Sequence, residues 1–257
     1  MTVNRLQNKI AIITGGNSGI GEATAKLFAA EGATVVITAR REDELKRVRD
    51  EITAAGGQCV YVPGDVTVTA DVEHVVAETI DRFGRVDILV NNAGIPDSHK
   101  RVAWVTDEFW DTVHDTDLKG VMRFCRAVLP HMEARNYGSI VNVCSIGGIY
   151  YCAGAAYSSA KAGLRGLTVN MAIQYFSTGI RVNSVSPGST LTPLFNPDNM
   201  GDVDVEMMEI TAQRHYQDRT AGMLQPIQQA YAILFLASDE ASGINGQDIV
   251  VDAGGRL

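Results

Sequence analysis

Tyr157 and Lys161 stand four positions apart in the segment AAYSSAKAGLRGL, and together they could move a proton. The segment has a helical pattern, so this spacing places both side chains on one face of a helix. A free tyrosine, with a pKa of about 10, is a poor base at neutral pH. A nearby ammonium favours the phenolate, and lowering the pKa by about three units requires roughly 4 kcal/mol. The pair therefore predicts proton exchange with an alcohol or a ketone.

Two carboxylates, Asp115 and Asp117, lie two positions apart in the stretch DTDLKG. Residues at i and i+2 of a helix point in different directions, so we do not expect both to face one reaction centre. The stretch alone leaves three interpretations open: acid/base groups, metal ligands, or polar positions on an amphipathic helix.

A glycine-rich loop, TGGNSGIG at residues 14–21, follows the first apolar run and opens the first helical pattern. Its glycines leave space for a tight turn and for a pyrophosphate close to backbone amides. The helix N-terminus adds a partial positive charge. Ordinary turns also use glycine, but the strand-to-helix context predicts a dinucleotide-binding site.

The second apolar run ends in TARRED, which bears on cofactor choice. Sites that prefer NAD carry an acidic residue here, bonded to the ribose 2′-hydroxyl. Ala39 occupies that position, followed by Arg40 and Arg41. Guanidinium groups bind phosphate with planar, charged donors, so we predict NADP rather than NAD. The alternative is that both arginines are solvated residues before the next helix.

Seven short runs rich in Val and Ile alternate with amphipathic helical patterns. The runs lie near residues 10, 35, 60, 88, 141, 182 and 250. Their length and β-branched content indicate strands buried on both faces. Strand–helix alternation predicts an α/β fold, a parallel sheet with helices on both faces. No linker or repeat interrupts residues 1–257, which we expect to form a single domain.

Composition excludes several classes of function. A formal net charge of −8 argues against nucleic-acid binding and against docking on an anionic membrane. No apolar run approaches the roughly 18 residues that cross a bilayer, and the N-terminus lacks the apolar core of a signal peptide, so we expect a cytoplasmic location. Four cysteines and five histidines show no metal-binding spacing, so we expect reduced thiols and no catalytic metal.

The four motifs TGGNSGIG, NNAG at 91–94, YSSAK at 157–161 and SPG at 186–188 resemble the short-chain dehydrogenase/reductase family. The resemblance runs over essentially the whole chain. It implies a doubly wound, Rossmann-type sheet of seven strands, a homotetramer or homodimer, and hydride transfer between NAD(P) and a CH–OH group of a small molecule.

The resemblance also implies roles for individual residues. Ser145, at the end of the run SIVNVCS, would hold the substrate oxygen beside Tyr157 and Lys161. A family asparagine that helps to hold a water in the proton relay falls at Asp117, so this chain departs from the family there. Asp115 falls outside the relay. The cofactor site would comprise Gly15, Asn17, Ser18, Gly19, Ile20, Gly21, Arg40, Arg41, Asp65, Val66, Asn91, Ala93, Gly94, Tyr157, Lys161, Pro187, Gly188, Thr190 and Thr192.

Residues 188–225 form a long interval that begins with Gly, Pro and Asn, and we predict a substrate lid. Its apolar side chains suit a bulky alicyclic alcohol, such as a hydroxysteroid or bile acid. The predicted substrate residues are Ser145, Tyr151, Leu191, Leu194 and Phe195. The alternatives are a surface excursion in place of a lid, and a general carbonyl reductase or a 3-oxoacyl-carrier-protein reductase. The last would need a basic surface to dock an acidic carrier protein, whereas this chain is acidic. A catalytically impaired cofactor-binding protein is a further alternative, supported by Asp117.

Overall fold

The computed structural model describes residues 4–195, 203–214 and 222–255. Its centre is a parallel sheet of seven strands in the order β3-β2-β1-β4-β5-β6-β7. This confirms the predicted fold class and the positions of all seven predicted strands. The expectation that every strand is buried on both faces is wrong for β3 and β7, which lie at the edges of the sheet and are only partly buried. The strands are β1 Ile10–Thr14, β2 Thr34–Thr38, β3 Gln58–Tyr61, β4 Ile88–Asn91, β5 Gly138–Val143, β6 Ile180–Pro187 and β7 Asp248–Val251.

Helices cover both faces of the sheet. They are α1 Gly19–Ala30, α2 Glu42–Ala54, α3 Thr69–Phe83, α4 Asp107–His114, α5 Gly120–Glu133, α6 Gly147–Tyr150, α7 Ala155–Gln174, α8 Val205–Arg214 and α9 Pro226–Ala237. Every helix within the described residues falls short of the length and apolarity needed to cross a bilayer.

Alternating side chains of the central strands fill two separate cores. Ile13 packs into the core that contains Phe28 of α1 and Ile233 of α9. Its neighbour Ile12 packs on the opposite face, with Phe124 of α5. Because successive side chains of a strand point to opposite faces, a continuous apolar run such as IAIIT supplies both cores. This explains why the runs read as uninterrupted rather than alternating.

The order of the strands creates a crevice between β1 and β4. The chain leaves these neighbouring strands toward opposite faces of the sheet, which opens a gap beyond their carboxyl ends. Thr14 Oγ1 ties the two exits together by accepting hydrogen bonds from the backbone N–H groups of Asn92 at 2.9 Å and Ala93 at 3.0 Å. The glycine-rich loop and the NNAG segment are thus held side by side.

One irregular turn joins α4 to α5. Residues Asp115–Lys119 form a π-helical turn within an otherwise continuous helical segment. Such turns insert an extra residue and recur at functional sites. Asp115 forms an ion pair with Arg123 at 2.9 Å, whereas Asp117 is fully buried. The two aspartates therefore serve different environments, as their spacing predicted.

The structure describes part of the interval 188–225, for which a lid is predicted. After β6 the chain forms a 3₁₀ turn at Pro193–Phe195 and then α8, and Leu191 N–H donates to Leu224 O at 2.8 Å where the interval returns to the fold. Residues 196–202 and 215–221 of the interval lie outside the described residues.

Candidate active site

A long cleft of about 750 Å³ runs along the carboxyl ends of the strands. Arg40 and Arg41 line one end, and Ser145, Tyr157 and Lys161 line the other. Between them lie the glycine-rich loop, Asp65, Val66 and the Asn92–Gly94 segment. The cleft thus joins residues that are more than 100 positions apart in the chain.

The loop at the start of α1 is shaped to admit an anion. Gly15 has φ +63°, and a Cβ there would lie 2.8 Å from Asn92 Nδ2. Ser18, at the N-cap of α1, makes no side-chain capping bond within the described part of the chain. The first N–H groups of α1 are therefore available to a phosphate, which the helix N-terminus also favours electrostatically.

The two arginines at the far end differ in their contacts. Arg41 donates to the side-chain oxygen of Asn17 from Nη2 at 2.9 Å and from Nε at 3.2 Å, when the Asn17 amide is oriented toward it. Arg40 is exposed at the cleft wall. Arg41 is thereby tied to the glycine-rich loop, while Arg40 stands beside the space that follows β2.

Tyr157 and Lys161 occupy successive turns near the start of α7. The ammonium of Lys161 is buried, donates to Val143 O at 3.1 Å, and lies 5.5 Å from the centroid of the Tyr157 ring. Ser145 follows β5 and accepts from the backbone N–H of Gly147 at 3.0 Å. The Ser145 hydroxyl lies near Tyr157, where it favours the phenolate. The structure thus brings the three predicted catalytic residues together.

The electrostatics of this group set its resting protonation. Burial raises the pKa of Tyr157, opposed by the ammonium of Lys161 and reinforced by the charge of Asp117. Burial works against the charged form of Lys161, but Asp117 and Tyr157 outweigh it and raise its pKa. At neutral pH the pair therefore rests as a phenol and an ammonium, a state in which Tyr157 has a proton to give.

Asp117 lies beneath the wall of the cleft rather than in it. Its Oδ1 accepts from Ile95 N–H at 2.9 Å, and its Oδ2 is buried without a hydrogen-bond partner among the described residues. A Cβ on Gly94 would lie 2.8 Å from Asp117 Oδ1 and 3.4 Å from Lys161 Nζ. Burial raises the pKa of Asp117 to about 6, opposed by Lys161 and the Ile95 N–H. Only glycine at position 94 permits this approach.

Asp97, which sequence reasoning missed, anchors the helix that carries Tyr157 and Lys161. Its buried carboxylate accepts from the backbone N–H groups of Gly154 at 3.1 Å, Tyr157 at 2.8 Å and His99 at 3.2 Å. Gly154 is the N-cap of α7 and has no side chain to cap the helix, so Asp97 supplies the acceptor from a distant loop. Nothing in the local sequence marks a partner 60 positions away.

A smaller side pocket of about 320 Å³ adjoins Ser145 and Tyr157. Apolar side chains form much of its wall: Pro96, Ile146, Ala153, Leu194 and Met208. Asp97, His99 and Thr211 add polar groups. Its position next to the Ser145 and Tyr157 hydroxyls makes it the space in which a reacting molecule could sit.

Comparison with known proteins agrees with this geometry. The family model described as enoyl-(acyl carrier protein) reductase, of the short-chain dehydrogenase/reductase family, matches residues 15–255. The chain is a short-chain dehydrogenase/reductase. It is 38% identical to the 3-oxoacyl-(acyl-carrier-protein) reductase FabG of Thermotoga maritima, with 97% of this chain and 98% of that protein covered.

Other relatives of this short-chain dehydrogenase/reductase carry different names. An A-factor type gamma-butyrolactone 1′-reductase of Streptomyces virginiae is 38% identical, with 97% of this chain and 96% of that protein covered. The crystal structure of levodione reductase superposes with a TM-score of 0.88 at 33% identity, with 97% of this chain and 98% of that chain covered. The protein is therefore an NAD(P)-dependent oxidoreductase acting on CH–OH or carbonyl groups.

Most of the predicted cofactor residues of this short-chain dehydrogenase/reductase line the long cleft. Two do not, among the residues described. Gly21 lies under the loop, where a Cβ would collide with the backbone of Gly15. Asn91 is buried and donates to Asn142 Oδ1 at 2.9 Å, joining β4 to β5. Both residues therefore support the floor of the cleft and do not line it. The predicted residues found along the cleft are Gly15, Asn17, Ser18, Gly19, Ile20, Arg40, Arg41, Asp65, Val66, Ala93, Gly94, Tyr157, Lys161, Pro187, Gly188, Thr190 and Thr192.

The predicted substrate residues separate into two groups. Ser145 and Leu194 line both the long cleft and the side pocket. Tyr151 is 63% exposed and Leu191 is 48% exposed, and the described structure places neither in the cleft nor in the pocket. Tyr151 ends α6 with φ +55°, which turns the chain before α7. The side chain of Phe195 lies outside the described residues.

Proposed function

We propose that this enzyme transfers a hydride between NADP(H) and a secondary alcohol or ketone. The observation that carries the proposal is the long cleft, which has Ser145, Tyr157 and Lys161 at one end and two arginines at the other. This arrangement supports a substrate site beside Tyr157 and a site for a 2′-phosphate beside Arg40.

The residues present fit a nicotinamide dinucleotide. The glycine-rich loop and the uncapped start of α1 would hold the pyrophosphate, and Arg40 and Arg41 would meet a 2′-phosphate. Thr192, which lies beside Gly19, would reach the nicotinamide end, as the resemblance to the family implies. When bound, this group supplies or accepts the hydride.

The side chains of the enzyme manage the proton. In ketone reduction, Ser145 donates a hydrogen bond to the substrate oxygen and Tyr157 gives that oxygen its proton. The ammonium of Lys161, fixed by Val143 O, stabilises the phenolate that remains. In alcohol oxidation the same groups act in reverse, with Tyr157 as the base. Asp117, beside Lys161, takes the place of the family asparagine and acts through the charge of that ammonium.

The proposed substrate is an alicyclic ketone or alcohol, in a range that extends from a single ring to a bulky hydroxysteroid or bile acid. The support is the mainly apolar wall of the side pocket and its volume of about 320 Å³, near the lower end of small-molecule sites. The interval 188–225 would act as its lid, since Leu194 and Met208 line the pocket. A carrier-bound acyl substrate is less well supported, because the chain has a formal net charge of −8. We also propose a homotetramer or a homodimer, because enzymes of this family commonly form oligomers.

The test is turnover of the purified enzyme with NADPH or NADH and a panel of ketones that includes steroids and bile acids. Tyr157→Phe keeps the ring but removes the transferable proton, so kcat should fall at least about 1,000-fold while the Kd for NADPH stays within about two-fold. Tyr151→Phe, at an exposed tyrosine on the adjoining segment, is the matched control and should keep wild-type turnover.

Two results would contradict the proposal. A Tyr157→Phe variant within a few-fold of wild type would remove Tyr157 from its role. Tight NADPH binding by wild-type enzyme without turnover of any ketone or alcohol would favour the catalytically impaired cofactor-binding protein instead.

A further inference from the structure

The loop that follows β4 is strained where it meets the side pocket. Ser98 and His99 are consecutive non-glycine residues in the left-handed region, with φ +57° and +54°. Both line the pocket. Such conformations persist only where the surrounding contacts impose them, and they cluster at functional sites.

Contacts on two sides hold His99 in this conformation. One carboxylate, that of Asp97, accepts from the backbone N–H of His99 at 3.2 Å and from that of Tyr157 at 2.8 Å. On the other side, Asp204 N–H donates to Ser98 O at 3.0 Å. The carboxylate of Asp204 in turn accepts hydrogen bonds from Arg101 Nε at 2.8 Å and Nη2 at 3.1 Å. The backbone of His99 is thus linked to Tyr157 through Asp97, and that of its neighbour Ser98 is linked to Asp204 at the start of α8.

The ring of His99 has one nitrogen to offer to a ligand. Its Nδ1 is inaccessible to water and has no hydrogen-bond partner among the described residues, so Nε2 is the nitrogen that can meet a bound molecule. An orphaned buried N–H is rarer than an orphaned buried acceptor, which favours the proton on Nε2. Burial lowers the pKa of His99, partly offset by Asp97 and Asp204, so the ring is neutral at pH 7. His99 therefore presents a neutral N–H donor.

Several other polar side chains of the pocket already have hydrogen-bond partners or assigned roles. The carboxylate of Asp97 accepts three backbone N–H groups. The hydroxyl of Thr211 donates to Met207 O at 2.8 Å within α8. The hydroxyls of Ser145 and Tyr157 are assigned to the oxygen of the reacting carbonyl. His99 is thus well placed to recognise a part of the substrate remote from the reacting carbon.

We propose that His99 is a specificity-determining residue that donates a hydrogen bond from Nε2 to a second oxygen of the substrate. The inference rests on the proposed function and narrows its substrate class. The preferred substrate is a compact alicyclic ketone that carries a further oxygen acceptor, such as an ether, a carbonyl or a hydroxyl, beyond the reacting carbon. A site that hydrogen-bonds a substrate group discriminates strongly against an analogue that lacks it, because the buried donor is then left unpaired.

The test compares ketones that differ in a single atom. 4-Methoxycyclohexanone and 4-ethylcyclohexanone have nearly the same shape, but only the first has a second oxygen; the 3-substituted pair samples a shorter separation. We expect wild-type kcat/KM to favour the methoxy compound by at least about 10-fold in one of the two pairs. His99→Phe should reduce that preference to within about two-fold. His99→Gln, whose amide nitrogen can stand near the position of Nε2, should retain part of it.

Both variants put a side chain on the same left-handed backbone, so their strain is matched. A residue that only shaped the loop would change the kcat/KM of both ketones equally, would lower the melting temperature, and would not distinguish Gln from Phe. That pattern would overturn the proposal, as would a wild-type enzyme that reduces both members of each pair equally well. Failure of wild-type enzyme to reduce any ketone would instead refute the proposed function, and this inference with it.

Discussion

Asp117→Asn should shift the acidic limb of the kcat/KM profile for alcohol oxidation toward lower pH by about one unit. Oxidation requires Tyr157 as the phenolate, and the ionised carboxylate of Asp117 opposes a second negative charge nearby. The pKa of Asp117 is about 6, so the carboxylate is ionised across the pH range in which Tyr157 must lose its proton. The amide removes that charge and keeps an oxygen that can accept the Ile95 N–H.

The size of the shift follows from the positions of the groups. Lys161 Nζ lies 5.5 Å from the Tyr157 ring centroid. A Cβ on Gly94 would lie 3.4 Å from Lys161 Nζ and 2.8 Å from Asp117 Oδ1, so the carboxylate and the ring are both close to the ammonium. A separation on the order of 10 Å and an effective dielectric constant of about 20 give roughly 1.7 kcal/mol. One pKa unit corresponds to about 1.4 kcal/mol, which gives the expected shift.

The assay is the pH dependence of kcat/KM for one alcohol with wild-type enzyme, Asp117→Asn and a control. The control, Asp115→Asn, removes the same charge from the same π-helical turn, but Asp115 pairs with Arg123 and Lys119 away from the cleft. The acidic limb of the kcat/KM profile of this variant should therefore not move. An unmoved limb in Asp117→Asn would mean that Asp117 is neutral or lies outside the relay. A shift to higher pH would refute the electrostatic argument outright.

Stability gives an independent check on the charge of Asp117. Its pKa rises from 3.8 to about 6 on folding, so the unfolded chain releases this proton at lower pH than the folded protein does. Below the unfolded pKa, ionisation of Asp117 has no effect on the free energy of unfolding. As pH rises from the unfolded pKa to the folded pKa, ionisation lowers this free energy, and above about pH 6 the loss reaches roughly 3 kcal/mol. Urea unfolding should therefore show Asp117→Asn more stable than wild type at pH 8, with the difference vanishing toward pH 4.

Two further predictions concern the ends of the site. Arg40→Asp should raise the KM for NADPH about 10- to 100-fold and leave NADH within a few-fold, because it replaces a charged hydrogen bond to phosphate with repulsion. Arg126→Asp, at an exposed arginine outside the cleft, is the control, and a wild-type preference for NADH in kcat/KM would show that Arg40 does not select NADP. Asp97→Ala should lower the free energy of unfolding by roughly 3 kcal/mol and reduce kcat, because three buried N–H groups lose their acceptor at the start of α7. A change below about 0.5 kcal/mol in urea unfolding would contradict that role.

Local pattern was enough to determine the framework of this protein. The central strands are rich in β-branched residues and supply both cores, and IAIIT and TVVIT can be recognised from their own residues. The glycine-rich loop stands between a strand and a helix, so its turn follows from its own residues. Tyr157 and Lys161 share a helical face because of their spacing. These features depend on interactions within about one supersecondary unit, and the sequence encodes those directly.

Contacts between distant segments were decided by the tertiary structure alone. Asp97 caps α7 from 60 positions away, and no sequence pattern around residue 97 indicates that its carboxylate accepts the Tyr157 N–H. The same holds for His99, whose orientation depends on Asp97 and Asp204, and for Asn91, which the packing of β4 on β5 turns away from the cleft. Asp117 shows the physical reason most clearly. Its type is visible in the sequence, but its pKa depends on burial, on Lys161 and on the Ile95 N–H, and folding alone brings these together.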